Sequence, residues 1–165
     1  MSTLTLTARS LADTDVIGQA LSNCLPDGSV VSLNGTLGAG KTRLTQALAV
    51  GCGIPVDLVV SPTFVLCRSY QGRRSITHID AYRIHDNDEF LELGIEEYFE
   101  SSDITLIEWG ERVAECLPPS RLRVTIDILA DDARLFQFDS ADPGFDAIAA
   151  ALGSDCQHLI GPTSG

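Results

Sequence analysis

The residues Gly35-Thr36-Leu37-Gly38-Ala39-Gly40-Lys41-Thr42 match the pattern G-x-x-x-x-G-K-[ST] at every fixed position. Their flanks fit the same reading. Ser29–Asn34 (SVVSLN) is a short β-rich run entering the loop, and Leu44, Ala47 and Leu48 mark the inner face of a helix leaving it. The chemistry explains the spacing. Glycines let the backbone close around a phosphate and take positive φ, while the loop N–H groups and the helix N-terminus meet the anionic oxygens. In such a loop Lys41 reaches the β- and γ-phosphates and the Thr42 hydroxyl coordinates Mg²⁺. Gly35, Thr36, Leu37, Gly38, Ala39, Gly40, Lys41 and Thr42 are therefore the candidate nucleotide-binding residues for Mg-ATP. Lys41 is the only lysine of the chain and, as a loop lysine, is expected to be exposed and to add little to the core. The alternative is a glycine turn that binds nothing, and the strand–loop–helix context argues against it.

A loop of this kind needs acids downstream to hold Mg²⁺ and orient water. Ser75–Asp80 (SITHID) ends in Asp80, and Ile104–Glu108 (ITLIE) ends in Glu108. A carboxylate directly after a buried apolar strand lies at the carboxyl edge of the sheet, where α/β folds bind ligands. Either acid alone reads as an ordinary strand-terminal or capping carboxylate. Beside an intact loop, both join Lys41 as candidate catalytic residues and Thr42 as candidate metal ligands, with Glu108 on the better strand. Ser61-Pro62-Thr63-Phe64 carries hydroxyls suited to sensing a γ-phosphate, as switch loops do, though serine and threonine around a proline also make plain turns. His78 is either a base or a satisfied structural histidine. Trp109 either stacks on adenine or anchors the helix expected after it.

The rest of the chain reads as further strands and helices without a linker long enough to divide domains. Thr3–Thr7 alternates as a short strand; Ser10 and Asp13 resemble a capping box before a helix carried by Val16, Ile17, Ala20, Leu21, Cys24 and Leu25. Phe64–Tyr70 and Ser75–Asp80 form a hairpin over Gln71–Arg74, and Asp86–Glu100 makes short helices broken at Gly94. Trp109, Val113 and Cys116 suggest a helix stopped by Pro118-Pro119. Arg121–Leu129 alternates with Leu122, Val124, Ile126 and Ile128 facing inward, and Asp131-Asp132 turns it back into Leu135–Phe138. Phe145, Ile148, Ala149 and Leu152 close with a helix. The sum is an α/β fold: a single P-loop NTPase-like domain over residues 1–160, with a largely parallel central sheet, antiparallel edge strands and flanking helices. Residues 161–165 are expected to be a loose tail.

Charge and cysteines narrow the setting. The formal net charge is −12, and from Asp80 to Glu115 twelve acids face only two bases, Arg83 and Arg112. Such a surface repels phosphate backbones and argues against strong autonomous nucleic-acid binding; it reads as a solvated acidic face or as a dock for a basic partner. Five scattered cysteines with no C-x-x-C pair fit reduced thiols in the cytoplasm. No apolar run approaches the roughly 20 residues that span a bilayer, and the start shows no secretory signal.

Taken in order, GTLGAGKT, SPTF, HIDAYR (His78–Arg83), ELGIEEYF (Glu92–Phe99) and IEWGER (Ile107–Arg112) resemble the bacterial TsaE, or YjeE, family over roughly residues 10 to 128. The resemblance implies a small ATPase that supports threonylcarbamoyl modification of the adenosine 3′ to the anticodon in tRNAs reading codons that begin with A. It implies ATP and Mg²⁺ as ligands, TsaB and TsaD as partners, tRNA only indirectly, and weak hydrolysis by the chain alone. It implies metal-shell or catalytic roles for Asp80 and Glu108, a nucleotide-responsive loop at Ser61, Pro62, Thr63 and Phe64, and Trp109 beside the nucleotide. Ala81 departs from the family, which usually carries a larger apolar residue there. A small-molecule P-loop kinase would need an acceptor pocket and usually an arginine-rich lid segment, which is missing from the sequence; a nucleotide-gated binding module with negligible turnover stands as the other alternative.

Overall fold

The structure, a computed structural model, describes residues 2–60 and 66–161. In chain order the elements are β1 (Thr3–Ala8), α1 (Leu11–Cys24), β2 (Val30–Asn34), α2 (Lys41–Gly51), β3 (Cys67–Tyr70), β4 (Ile76–Asp80), α3 (Asn87–Leu91), α4 (Ile95–Glu100), β5 (Ile104–Glu108), β6 (Leu122–Ala130), β7 (Ala133–Ser140) and α5 (Phe145–Asp155). Short 3-10 segments lie at Val56–Leu58, Gly110–Cys116 and Gln157–Leu159.

The strands form one sheet in the order β1-β7-β6-β2-β5-β4-β3. Its centre, β6-β2-β5-β4, is parallel, while β7 and β1 on one side and β3 on the other run antiparallel. The expected parallel core with antiparallel edges is what the chain builds. Strands β4 and β5 are buried along their whole length, as parallel strands covered on both faces must be. Their side chains alternate between two cores. Ile104 and Leu106 join Leu33, Leu44, Leu48, Phe136 and Phe138 on the face covered by α1, α2 and α5. Ile107 and Ile79 join Phe90, Ile95 and Val113 under α3, α4 and the 3-10 segment on the other.

Local signals act as the sequence suggests at most boundaries. Ser10 caps α1 by accepting from the Asp13 N–H at 3.2 Å, and Asp13 accepts from the Arg9 N–H at 2.9 Å. Gly94, at φ 72°, separates α3 from α4. Three expectations are corrected. Val16 lies on the exposed side of α1, whose inner face runs through Thr14, Ile17, Gly18, Leu21 and Ser22. The segment after Trp109 is 3-10 rather than α: Gly110 is pressed so close to β2 that a Cβ there would come within 2.0 Å of Ser32 Oγ, and Val113 breaks the helical backbone at φ −124°. Ile128 faces solvent, because β2 stops pairing with β6 at Thr125 and the β6–β7 hairpin runs on past it. The expected strand from Phe64 starts, among the described residues, at Cys67.

Helices α1 and α2 touch through a glycine. A Cβ on Gly18 would stand 2.3 Å from Ala47 Cβ and 2.8 Å from the Leu48 N. Gly18→Ala adds about 1 kcal/mol of helix propensity, but it must push the two helices apart, an overpacking cost of about 1–3 kcal/mol. The variant should unfold at lower urea concentration than the wild type with an unchanged slope; equal or greater stability would mean that the helices do not meet there.

Candidate functional site

The parallel strands β2, β5 and β4 end at one edge of the sheet, at Asn34, Glu108 and Asp80. Asp80 and Glu108 are register partners, so their Cα atoms start about 5 Å apart, the spacing of neighbouring strands. The glycine-rich loop leaves β2 at the same edge and lines one open cleft together with Asp80, Tyr82, Glu108 and Trp109. Gly35 cannot be replaced there. Its φ is 152°, and a Cβ would meet Ile126 O at 2.7 Å and Ala39 Cβ at 3.0 Å, so the loop turns hard against β6. Gly38 and Gly40 hold positive φ, and among the described residues, chain neighbours apart, nothing lies within 4 Å of where a Cβ would sit. Thr36 to Gly38, including Leu37, are exposed at the crest, while Ala39 is buried.

Lys41, expected at the surface, is 4 % exposed. Its Nζ donates to Gly35 O at 2.6 Å and to Thr36 O at 3.0 Å, and sits 3.8 Å from the centre of the Trp109 ring. Burial lowers the pKa of the ammonium below its usual value, while Glu111, Glu108 and Asp80 act in the opposite direction. Trp109 reaches this place through a left-handed backbone, φ 61°, fixed by its N–H donating to Leu33 O at 3.0 Å. Its ring lies 5.0 Å from that of Tyr82, and the Arg112 guanidinium lies over both.

Glu108 is the meeting point. It is 3 % exposed, accepts from Thr42 Oγ1 on Oε1 at 2.8 Å, and accepts from His78 Nε2 on Oε2 at 2.6 Å. His78 is fully buried and holds the carboxylate from the neighbouring strand β4, on the same face of the sheet. Asp80 accepts the Tyr82 N–H at 2.9 Å. The oxygens offered to a cation are one hydroxyl and two carboxylates, all hard donors. Among the described residues no cluster of three or more His, Cys, Asp or Glu is suited to holding a metal unaided. That set fits Mg²⁺, which takes one or two carboxylates and completes its shell with phosphate oxygens and water.

The structure thus brings Leu37–Thr42, Asp80, Glu108 and Trp109 to one cleft, with Gly35 and Thr36 bonded through their carbonyls to Lys41 beside it. Ser61, Pro62, Thr63 and Phe64 lie outside the described residues. Two further participants are not among the sequence-derived candidates, although one of them, Glu111, lies within IEWGER. Glu111 Oε1 accepts the Gly35 N–H at 3.4 Å. Arg134, on β7, donates from Nε to Ala39 O at 2.9 Å and from Nη2 to Gly38 O at 3.3 Å. It meets the loop across 95 residues of chain, and only the sheet order reveals it.

The chain is similar to known proteins along most of its length. A family profile described as "Threonylcarbamoyl adenosine biosynthesis protein TsaE" matches residues 8–136. The chain is similar to the tRNA threonylcarbamoyladenosine biosynthesis protein TsaE of Treponema pallidum, 40% identical over 127 residues, covering 77% of this chain and 93% of that protein. It is similar to the protein of the same name from Bacillus subtilis, 35% identical over 141 residues, 85% of this chain and 87% of that one. The crystal structure of Bacillus subtilis YdiB superposes with a TM-score of 0.77 at 27% identity, covering 93% of this chain and 95% of that one.

The packing around Trp109 carries its own test. Trp109→Leu removes the ring under Lys41 and beside Tyr82, and should cost about 1–2 kcal/mol in urea unfolding without nucleotide. Trp109→Phe keeps an aromatic face and should lose less. Equal losses for the two would mean that the aromatic face is not what Lys41 rests on.

Proposed function

The chain belongs to the TsaE family, and on that premise we propose that it is a Mg-ATP hydrolase serving tRNA threonylcarbamoyladenosine biosynthesis. The observation that carries the proposal is the 2.8 Å bond from Thr42 Oγ1 to Glu108 Oε1. It joins the hydroxyl of the loop motif to a strand-end carboxylate 66 residues away, at the place where a phosphate-bound cation needs both.

The residues divide the work. Loop amides and the α2 N-terminus bind the phosphate chain. Lys41 exchanges its bonds to Gly35 O and Thr36 O for the phosphate oxygens, and its ammonium balances charge that develops as the terminal phosphoryl group departs. Thr42, Glu108 and Asp80 would hold Mg²⁺, which neutralises phosphate charge when bound. His78 keeps Glu108 aimed at Thr42, and the two carboxylates are the groups placed to orient the attacking water. Trp109 walls the cleft and offers a face for the base once Lys41 has left it. Residues 1–160 act as one ATPase domain, with Ser61–Phe64 as the loop that answers the γ-phosphate.

Hydrolysis then matters through partners. A partner shifts populations only if it binds the ATP and ADP forms unequally. Glu92, Glu96 and Glu97 are exposed on the acidic α3–α4 side and form the docking face for TsaB and TsaD, so tRNA is reached indirectly. No helix among the described residues is long and apolar enough to cross a membrane, which is compatible with work in the cytoplasm.

Lys41→Ala should lower ATP hydrolysis at least about 10³-fold, and Glu108→Gln about 10²-fold with nucleotide binding retained. Both are read as free phosphate released rather than a phosphorylated acceptor. Wild-type turnover by both variants would remove the assignment. The partner arm predicts stimulation by TsaB plus TsaD that fades with salt and is lost when Glu92, Glu96 and Glu97 are reversed to lysine. Activity that ignores both proteins would refute it.

A further inference from the structure

We propose that Arg134 is a positioning residue for the phosphate loop, acting from β7 on the side opposite the cleft. The proposal rests on the nucleotide reading above and adds to it a side chain outside the motif. Within the loop itself the crest is held through Thr36 O, which accepts from Lys41 Nζ and from the Ala39 N–H. Thr36, Leu37 and Gly38 are exposed, and among the described residues, chain neighbours apart, nothing lies within 4 Å of where a Cβ would sit on Gly38 or Gly40. Arg134 adds support from outside the loop by donating to the carbonyls of both Gly38 and Ala39.

The consequence follows from the planarity of the peptide bond. In a trans peptide the C=O and the next N–H point in opposite directions. Holding Gly38 O toward Arg134 turns the Ala39 N–H back into the loop, where it donates to Thr36 O at 3.0 Å. Holding Ala39 O toward Arg134 turns the Gly40 N–H away from β7. The arginine thereby sets the direction of a loop amide before any phosphate arrives. Its own position is fixed in advance: Nη1 donates to Asp131 O at 2.5 Å and to Ala133 O at 3.0 Å, around a turn where Asp131 takes φ 36°. Among the described residues no carboxylate forms an ion pair with Arg134. Its charge is shared only with backbone carbonyls and stands against the glycine-rich loop, where it raises the local potential for phosphate. The planar fork holds Ala39 O and Gly38 O with Nε and Nη2 while Nη1 keeps its bonds to Asp131 O and Ala133 O, a division among separate nitrogens that a single ammonium cannot make.

The test uses the full chain and measures ATP and ADP binding by calorimetry, alongside the thermal midpoint without nucleotide. Arg134→Gln should weaken both nucleotides alike by roughly ten-fold, the scale of losing charge-assisted bonds to the loop. The nucleotide-free midpoint should move by no more than about 3 °C. Arg134→Lys restores charge without the fork and should recover only part of the affinity. If Arg134→Gln does not fold, Arg134→Lys carries the test, and wild-type affinity in that variant overturns the proposal. Wild-type affinity in Arg134→Gln overturns it directly, as does a loss of affinity explained by a collapsed midpoint. A wild-type chain that binds neither nucleotide overturns the nucleotide reading itself and this inference with it, an outcome distinct from binding that Arg134 does not affect.

Discussion

A carboxylate removed from water must be paired, and Glu108 is almost entirely removed from it. Its two oxygens are divided between His78 on β4 and Thr42 at the start of α2. Three elements are thereby tied at one point: β4 by its histidine, β5 by the glutamate, and α2 by the threonine. The tie sets where the glycine loop must end, because Thr42 is the loop's last motif residue. Gly35, turned against Ile126 of β6, sets where it must begin. With both ends fixed, the six residues between them have few shapes left before a ligand is present.

The sheet serves the same end. Parallel strands β2, β5 and β4 finish together, so functional groups distant in sequence arrive side by side without special loops. The two cores keep this edge rigid. One anchors the loop helix through Leu44 and Leu48, and the other packs Ile107, one residue before Glu108, against the α3–α4 side. The aromatic group above the cleft is held by backbone geometry as well, since Trp109 turns out of β5 by adopting a conformation that side chains rarely take.

Much of this was legible in the residues. The loop declares itself because its chemistry demands glycine, lysine and threonine at fixed spacing, and Asp80 and Glu108 stand out because, beside such a loop, a carboxylate at the end of a buried strand has a cation to meet. Other features were hidden for physical reasons. The burial of Lys41 depends on Trp109, which reaches it only after a left-handed turn that no pattern of spacing encodes. The segment after Trp109 carries helical spacing, yet the close approach of Gly110 to Ser32 holds it in a tighter winding. Ile128 follows the alternation of its strand, but the strand outlasts the neighbour that would have covered it. In each case a local pattern was overruled by contact with a distant part of the chain.

The place of Lys41 has one more consequence. It is the only lysine in the sequence, and it is buried within the loop against an indole. The other ten basic side chains are all arginine. The rest of the chain therefore offers no ε-amine to acetyl donors, to ubiquitin ligation or to amine-directed crosslinkers. Apart from the α-amine, acylation chemistry finds a single target, and reaching it means opening the loop.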